Sequence, residues 1–218
     1  MFFKPKKPNF AAMQQLPSKL VQEAVDQMAS LPGIGRKTAL RLVLSLLQRN
    51  EEEVSRFAYA FLKMREEICF CSVCHNISDK PVCLICLDNN RNKKQICVVE
   101  DVRDVMAIES TGQYKGVYHV LGGLISPMNG TGPGDLHITT LIDRISNHDI
   151  DEIILALSAT MEGDTTNFYL FRKLKDSNAE ISTLARGVSV GDELEYTDEI
   201  TLGRSIINRT PFEMSMNR

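Results

Sequence analysis

The sequence predicts an α/β fold preceded by a small all-α subdomain and a zinc-finger subdomain. Three observations carry this. In the first third, apolar residues recur at helical spacing. Next, all six cysteines crowd into residues 69–97. From residue 95 onward, short continuous apolar runs alternate with helical stretches, the pattern of a parallel sheet buried on both faces.

The 218 residues are 43% hydrophobic and 24% charged, which suits packed globular domains and excludes wholesale disorder. No apolar run approaches the ~18 residues of a membrane span. The opening Met1-Phe2-Phe3-Lys4-Pro5-Lys6-Lys7-Pro8 lacks the apolar core and small-residue cleavage site of a secretion signal, so a cytoplasmic protein with no membrane partner is expected. The net charge of −3 is unevenly spread. Residues 1–65 hold 11 Lys and Arg against 5 Asp and Glu, and the remainder holds 14 against 23. A basic first third on an acidic remainder points to a polyanion partner for the N-terminal part, although such imbalance is often only solvated surface.

Taken in order, residues 1–15 read as a tail without periodicity, with Met13 as an alternative start. Residues 16–68 read as three helices. Pro17-Ser18 opens the first, with Ser18 as N-cap and Leu20, Val21, Ala24, Val25 and Met28 on one face. Leu31-Pro32-Gly33-Ile34-Gly35 breaks it. The second runs from Arg36 to about Gln48, and the third from about Glu51 to Glu67. Residues 69–94 hold the cysteine knuckles. Residues 95–185 hold four strands, centred on Ile96–Val99, Val117–Leu121, Ile153–Leu157 and Ile181–Ala185. Helices are expected at Leu136–Arg144 and Thr166–Lys175. Residues 186–218 form a C-terminal segment and tail.

The strongest chemical signal is Cys71-Ser72-Val73-Cys74 followed by Cys83-Leu84-Ile85-Cys86. Two CxxC knuckles bring four thiolates to one point, as tetrahedral zinc requires. Buried structural cysteines or a redox pair would be the alternatives. Four sulfurs close the coordination sphere, so Cys71, Cys74, Cys83 and Cys86 would hold structural Zn²⁺. Cys97 reads as core and Cys69 as an incidental thiol. His75, next to a ligand, reads as a loop residue rather than a competing donor.

A second signal is Leu31-Pro32-Gly33-Ile34-Gly35-Arg36-Lys37-Thr38-Ala39 between two helices. Gly33 and Gly35 let backbone approach a ligand, and the next helix presents free N–H groups to phosphate. Arg36, Lys37 and Arg41 add charge beside them. This is a helix–hairpin–helix pattern that grips nucleic-acid backbone without reading bases. A plain glycine-rich turn between core helices is the blander reading. No Walker A loop, GxxxxGK[ST], occurs.

The third signal is carboxylates near strand ends: Glu100, Asp101 and Asp104 after the first strand, and Glu162 and Asp164 after the third. Convergent carboxylates there could take Mg²⁺ for phosphoryl transfer. Helix capping is the stronger competing account, because carboxylates before helices are common.

The order of these parts resembles the RecR family of bacterial recombination mediators, over about Leu16 to Arg209. The resemblance is specific at residues 31–39, the four zinc cysteines, Ile96–Glu100, Tyr118–Gly123, Glu162-Gly163-Asp164 and Gly191–Tyr196. It implies a Toprim domain over 95–185, with Glu100 at the first metal position of Toprim enzymes and Glu162-Gly163-Asp164 in place of DxD. It implies a Walker B-like C-terminal segment over Ala185–Tyr196, with no independent ATP hydrolysis in the absence of Walker A.

The same resemblance implies a non-enzymatic role in recombinational DNA repair. The protein would act with RecO and RecF at gapped, single- or double-stranded DNA and help load RecA. It implies a tetrameric ring able to clamp DNA, nucleoid association, and use of Glu100, Asp104, Glu162 and Asp164 as a partner-binding or vestigial Mg²⁺ patch. A Mg²⁺-dependent Toprim nuclease or topoisomerase-like enzyme is the rival. Ser189 departs from a usual Pro, and Thr165 and Asn167 from small apolar residues. Residues 1–15 have no counterpart.

Overall fold

The structure, a computed structural model, describes residues 16, 18–191 and 193–213. The expected tail, Pro17 and Asp192 lie outside the described residues. The chain divides into two compact units, Met1–Glu67 and Ile68–Arg218.

The first unit holds helices α1 (Lys19–Ala29), α2 (Arg36–Leu47) and α3 (Glu51–Glu67). Ser18 caps α1: its Oγ accepts from the Val21 amide. Val25 of α1 is buried against Ala39 and Val43 of α2, with Val21, Met28 and Ile34 closing the small core. Gly33 turns the chain between the helices at φ +79°, a conformation that a side chain would strain. Asn50 accepts from the Glu53 amide to start α3, and Glu51, Glu52 and Glu53 suit the positive end of its dipole. No residue of α3 is buried, although it carries Phe57, Tyr59, Phe61, Leu62 and Met64.

The second unit opens with a two-stranded antiparallel ribbon, β1 (Cys69–Phe70) with β2 (Ile77–Ser78), and a short helix α4 (Leu84–Leu87). Four strands follow: β3 (Asn92–Val99), β4 (Gly116–Val120), β5 (Glu152–Leu155) and β6 (Glu180–Thr183). They pair in parallel in the order β4-β3-β5-β6. Helices α5 (Val102–Ser110), α6 (Ile138–Asn147) and α7 (Met161–Leu174) connect them. One core, including Ile96, Val98, Leu141, Ile153 and Leu170, joins the sheet to α6 and α7. A second, including Cys97, Val99, Val105 and Tyr118, joins it to α5. Burial on both faces explains why these strands read as unbroken apolar runs.

Several boundaries differ from expectation. β3 begins at Asn92, inside the stretch read as zinc finger, so finger and sheet share a strand. α7 begins at Met161, not Thr166, because Thr160 caps it by accepting from the Gly163 amide at 3.1 Å. α6 is shifted to Ile138–Asn147. The fourth strand ends at Thr183, leaving Leu184 exposed. Helix α5 and a C-terminal helix α8 (Glu199–Ile207) were not anticipated. α8 starts where Asp198 Oδ1 accepts from the Thr201 amide at 2.9 Å.

Candidate zinc centre, hairpin and acidic cleft

The thiol sulfurs of Cys71, Cys74, Cys83 and Cys86 lie within 4.8 Å of one another. The Cys74 and Cys83 sulfurs are 3.6 Å apart, close to the ~3.8 Å edge of a tetrahedron with ~2.3 Å zinc–sulfur bonds. Cys71, Cys74 and Cys83 are buried. Four crowded thiols need a cation before all can ionise. The adjacent Cys86 thiol and burial push Cys74 far up, and burial brings Cys83 to about 11. Burial also acts against Cys71, but backbone amides, Cys83 first among them, hold it down at about 7. The donor set fits structural Zn²⁺, whose charge would offset this repulsion.

His75 stands apart from the four sulfurs. It takes φ +61°, stacks on His137 at 3.8 Å and donates from Nε2 to Thr140 Oγ1 at 2.8 Å. Thr140 in turn donates to the His137 carbonyl. His119, fully buried, donates from Nε2 to that same carbonyl at 2.8 Å. These histidines fasten the finger to α6, so His75 is more than a loop residue.

At the hairpin, Gly33 and Gly35 are exposed, with open space where a Cβ would stand. α2 starts at Arg36 with no side-chain cap on its free amides and no acidic residue in its first turn. Lys37 and Arg41 are exposed and have no hydrogen-bond or ion-pair partner among the described residues. Arg36 differs: its Nη1 donates to Asp26 Oδ1 at 2.7 Å. The hairpin thus offers free amides, two open cations and one engaged cation.

The structure divides the four acidic residues. Glu100 and Glu162 line one cleft of about 400 Å³ together with Gly122, Gly123, Ser126, Ser158 and Thr160. Burial, then Asp104 and Asp101, hold the Glu100 carboxyl above its usual range. Asp104 is spent on capping α5: its Oδ2 accepts from the Glu100 and Asp101 amides at 3.1 and 3.0 Å. Asp164 accepts from Arg186 Nη2 at 2.6 Å, with Arg204 Nη2 at 4.0 Å, and the Arg186 hydrogen bond holds its carboxyl below the usual range. Among the described residues, only the four cysteines form a group of three or more Cys, His, Asp or Glu close enough to share a metal. The four carboxylates do not gather at one point: Glu100 and Glu162 share the cleft, while Asp104 and Asp164 are engaged elsewhere.

Two devices shape the cleft. Buried Thr166 donates to the Glu162 carbonyl at 2.7 Å and accepts from the Ile125 amide at 2.9 Å, pinning the glycine loop to α7. A Cβ on Gly163 would sit 1.9 Å from the Ser158 carbonyl oxygen, so only glycine lets α7 start this close to the β5 loop.

A two-helix glycine hairpin, a four-cysteine cluster and a four-stranded parallel sheet domain with an acidic cleft thus follow one another along the chain. Family models match in the same order: RecR helix-hairpin-helix at residues 21–64, the RecR four-cysteine zinc finger domain at 68–88, Toprim domain at 94–185 and RecR C-terminal at 187–210. The chain is similar to the recombination protein RecR of Porphyromonas gingivalis, with 59% identity over 204 residues, covering 94% of this chain and 99% of the relative. It is 61% identical to that of Flavobacterium johnsoniae over 196 residues (90% and 95%) and 59% identical to that of Bacteroides fragilis over 199 residues (91% and 97%). The chain belongs to the RecR family of recombination proteins. Its cofactor is structural zinc, held by the finger. Among the described residues, no helix is long and apolar enough to cross a membrane.

Proposed function

We propose that the protein is a non-enzymatic mediator of recombinational DNA repair in the cytoplasm, working on the nucleoid. It binds gapped, single- or double-stranded DNA through Gly33, Gly35, Arg36, Lys37 and Arg41, joins RecO and RecF, and helps RecA load. The observation that carries this reading is the hairpin itself. Uncapped α2 amides flanked by Lys37 and Arg41, which have no side-chain partner among the described residues, fit backbone phosphate, a contact that positions a protein on nucleic acid without fixing sequence.

The acidic cleft supports a binding role over chemistry. Glu100 and Glu162 remain open to a partner, while Asp104 and Asp164 are held by capping and ion-pair bonds. Assembly into a tetrameric ring has its own support. α3 leaves Phe61, Leu62 and Met64 exposed, and α8 leaves Ile200, Ile206 and Ile207 exposed. Exposed apolar side chains on a helix face suit contacts with other chains. A ring would let an acidic chain hold DNA through basic hairpins.

The test is one incubation of end-labelled gapped duplex with the protein and Mg²⁺, with and without RecO, on native and denaturing gels. A shifted band with intact strands is expected. Nicked or shortened strands that disappear with Asp164→Asn would mean a nuclease instead.

A further inference from the structure

The three hairpin cations are not equivalent. Among the described residues, Lys37 and Arg41 face solvent without a side-chain partner, whereas Arg36 is bound to Asp26 of α1. Asp26 is itself held in place, because its second oxygen accepts from Gln22 Nε2 at 2.8 Å, one turn earlier on the same helix. α1 thus delivers a fixed carboxylate to the first residue of α2, at the helix end where an incoming phosphate would sit. The pair is half exposed, 39% for the Arg36 side chain and 47% for Asp26, so an anion from solvent can reach and replace it.

We infer that Asp26 is a built-in counter-ion that occupies Arg36 in the unbound protein, stands in for phosphate, and must be displaced when nucleic-acid backbone binds. It acts as a brake on affinity. This inference rests on the hairpin reading above and deepens it. Its physical basis is that a cation already neutralised within the protein does not neutralise a phosphate, and so releases none of the counterions condensed on the nucleic acid, while its carboxylate partner stays in place. Engaging DNA through Arg36 then gains little beyond swapping one carboxylate partner for another anion. Lys37 and Arg41, without such partners, supply the salt-dependent part of binding. Removing the Asp26 charge frees a third cation and deletes a like charge beside the phosphate.

The experiment measures binding of the full chain to a fluorescent single-stranded oligonucleotide by anisotropy across a salt series. The proteins compared are the native chain, Asp26→Asn, Asp26→Ser, Arg36→Gln, Asp26→Asn with Arg36→Gln, and Lys37→Glu. Thermal unfolding confirms that each is folded. Both Asp26 variants are expected to bind about three- to fivefold tighter at low salt, the range a surface ion pair can supply. The slope of log affinity against log salt should steepen by about 0.7, one extra phosphate contact on a single strand. Arg36→Gln alone should weaken binding, because it leaves the Asp26 carboxylate unpaired beside the phosphate, and the double variant should return to near the native affinity with no gain. Unchanged or weaker binding by both Asp26 variants, or a double variant that binds as tightly as Asp26→Asn alone, overturns the inference. Lys37→Glu separates the two levels: if it binds normally, the hairpin reading itself fails. If it loses binding while Asp26→Asn changes nothing, only the brake is wrong.

Discussion

The amide of Val120, the last residue of β4, donates to the carbonyl of Cys74 at 2.8 Å. A zinc knuckle therefore completes the edge of the parallel sheet. Ile85 of the second knuckle packs into the core that Tyr118 and Val120 share with α5, and Lys93 at the start of β3 donates to the Cys86 carbonyl. Metal, finger and sheet edge form one mechanical unit.

Zinc removal is accordingly expected to reach beyond the finger. Chelation, or Cys74→Ala, should release one zinc per chain and lower the unfolding midpoint, because metal binding energy is folding energy here. Hydrogen exchange should show lost protection at Val120 and along β4, with β5 and β6 less affected. Unchanged protection at Val120 after zinc loss would contradict the coupling.

Gly163 is the tightest packing point beside the cleft. Gly163→Ala should destabilise the protein by about 2–4 kcal/mol in urea unfolding, since a methyl at 1.9 Å from the Ser158 carbonyl forces α7 or the loop to move. The displacement should also loosen the Thr166–Ile125 hydrogen bond, so the amide of Ile125 should exchange faster.

Asp164 anchors the C-terminal segment through Arg186 and Arg204. Asp164→Arg should speed protease cleavage near Gly187–Gly191, and adding Arg186→Asp should restore resistance. Asp164→Asn should leave DNA binding unchanged. A rise in cleavage that the charge swap fails to reverse would assign the effect to something other than this pair.

The apolar surfaces of α3 and α8 give a prediction on assembly. Leu62→Glu and Ile206→Glu should each reduce the molar mass measured by light scattering, with little effect on the unfolding of the buried sheet, because neither side chain belongs to a core. An unchanged mass for both would remove the support that these faces lend to a ring.

Much of this architecture was legible because its elements bury what they advertise. α1 and α2 share the Val25, Ala39 and Val43 core, so their 3.6-residue spacing stands out. The sheet strands are buried on both faces, and the cysteine spacing is constrained by one metal ion. α5 was missed for a chemical reason. Its start signal, Asp101 with Asp104 three residues on, is a capping box, and the same two carboxylates invite a metal reading. The late start assigned to α7 has a similar source, since Gly163 in the first turn reads as a break, although Thr160 caps the helix ahead of it. α8 escapes a sequence reading because it is short and carries Gly203 in its middle, a residue that weakens a helical pattern. In the acidic set, only three-dimensional placement separates Glu100 and Glu162, which line a cleft, from Asp104 and Asp164, which hold backbone and arginine.

The early start of β3 bears on how this protein can be dismantled or recombined. A cut between finger and sheet at residue 94 would fall inside a continuous strand whose first residues, Asn92 and Lys94, bond Lys115 and Asp151 across the sheet. Grafting the finger onto another Toprim scaffold, or deleting it, would carry away the hydrogen bonds that register the sheet's opening rows. The separable joint lies instead at Glu67, where the compact units divide. For anyone building chimaeras, the finger and the sheet are a single inherited part, and the hairpin is the exchangeable one.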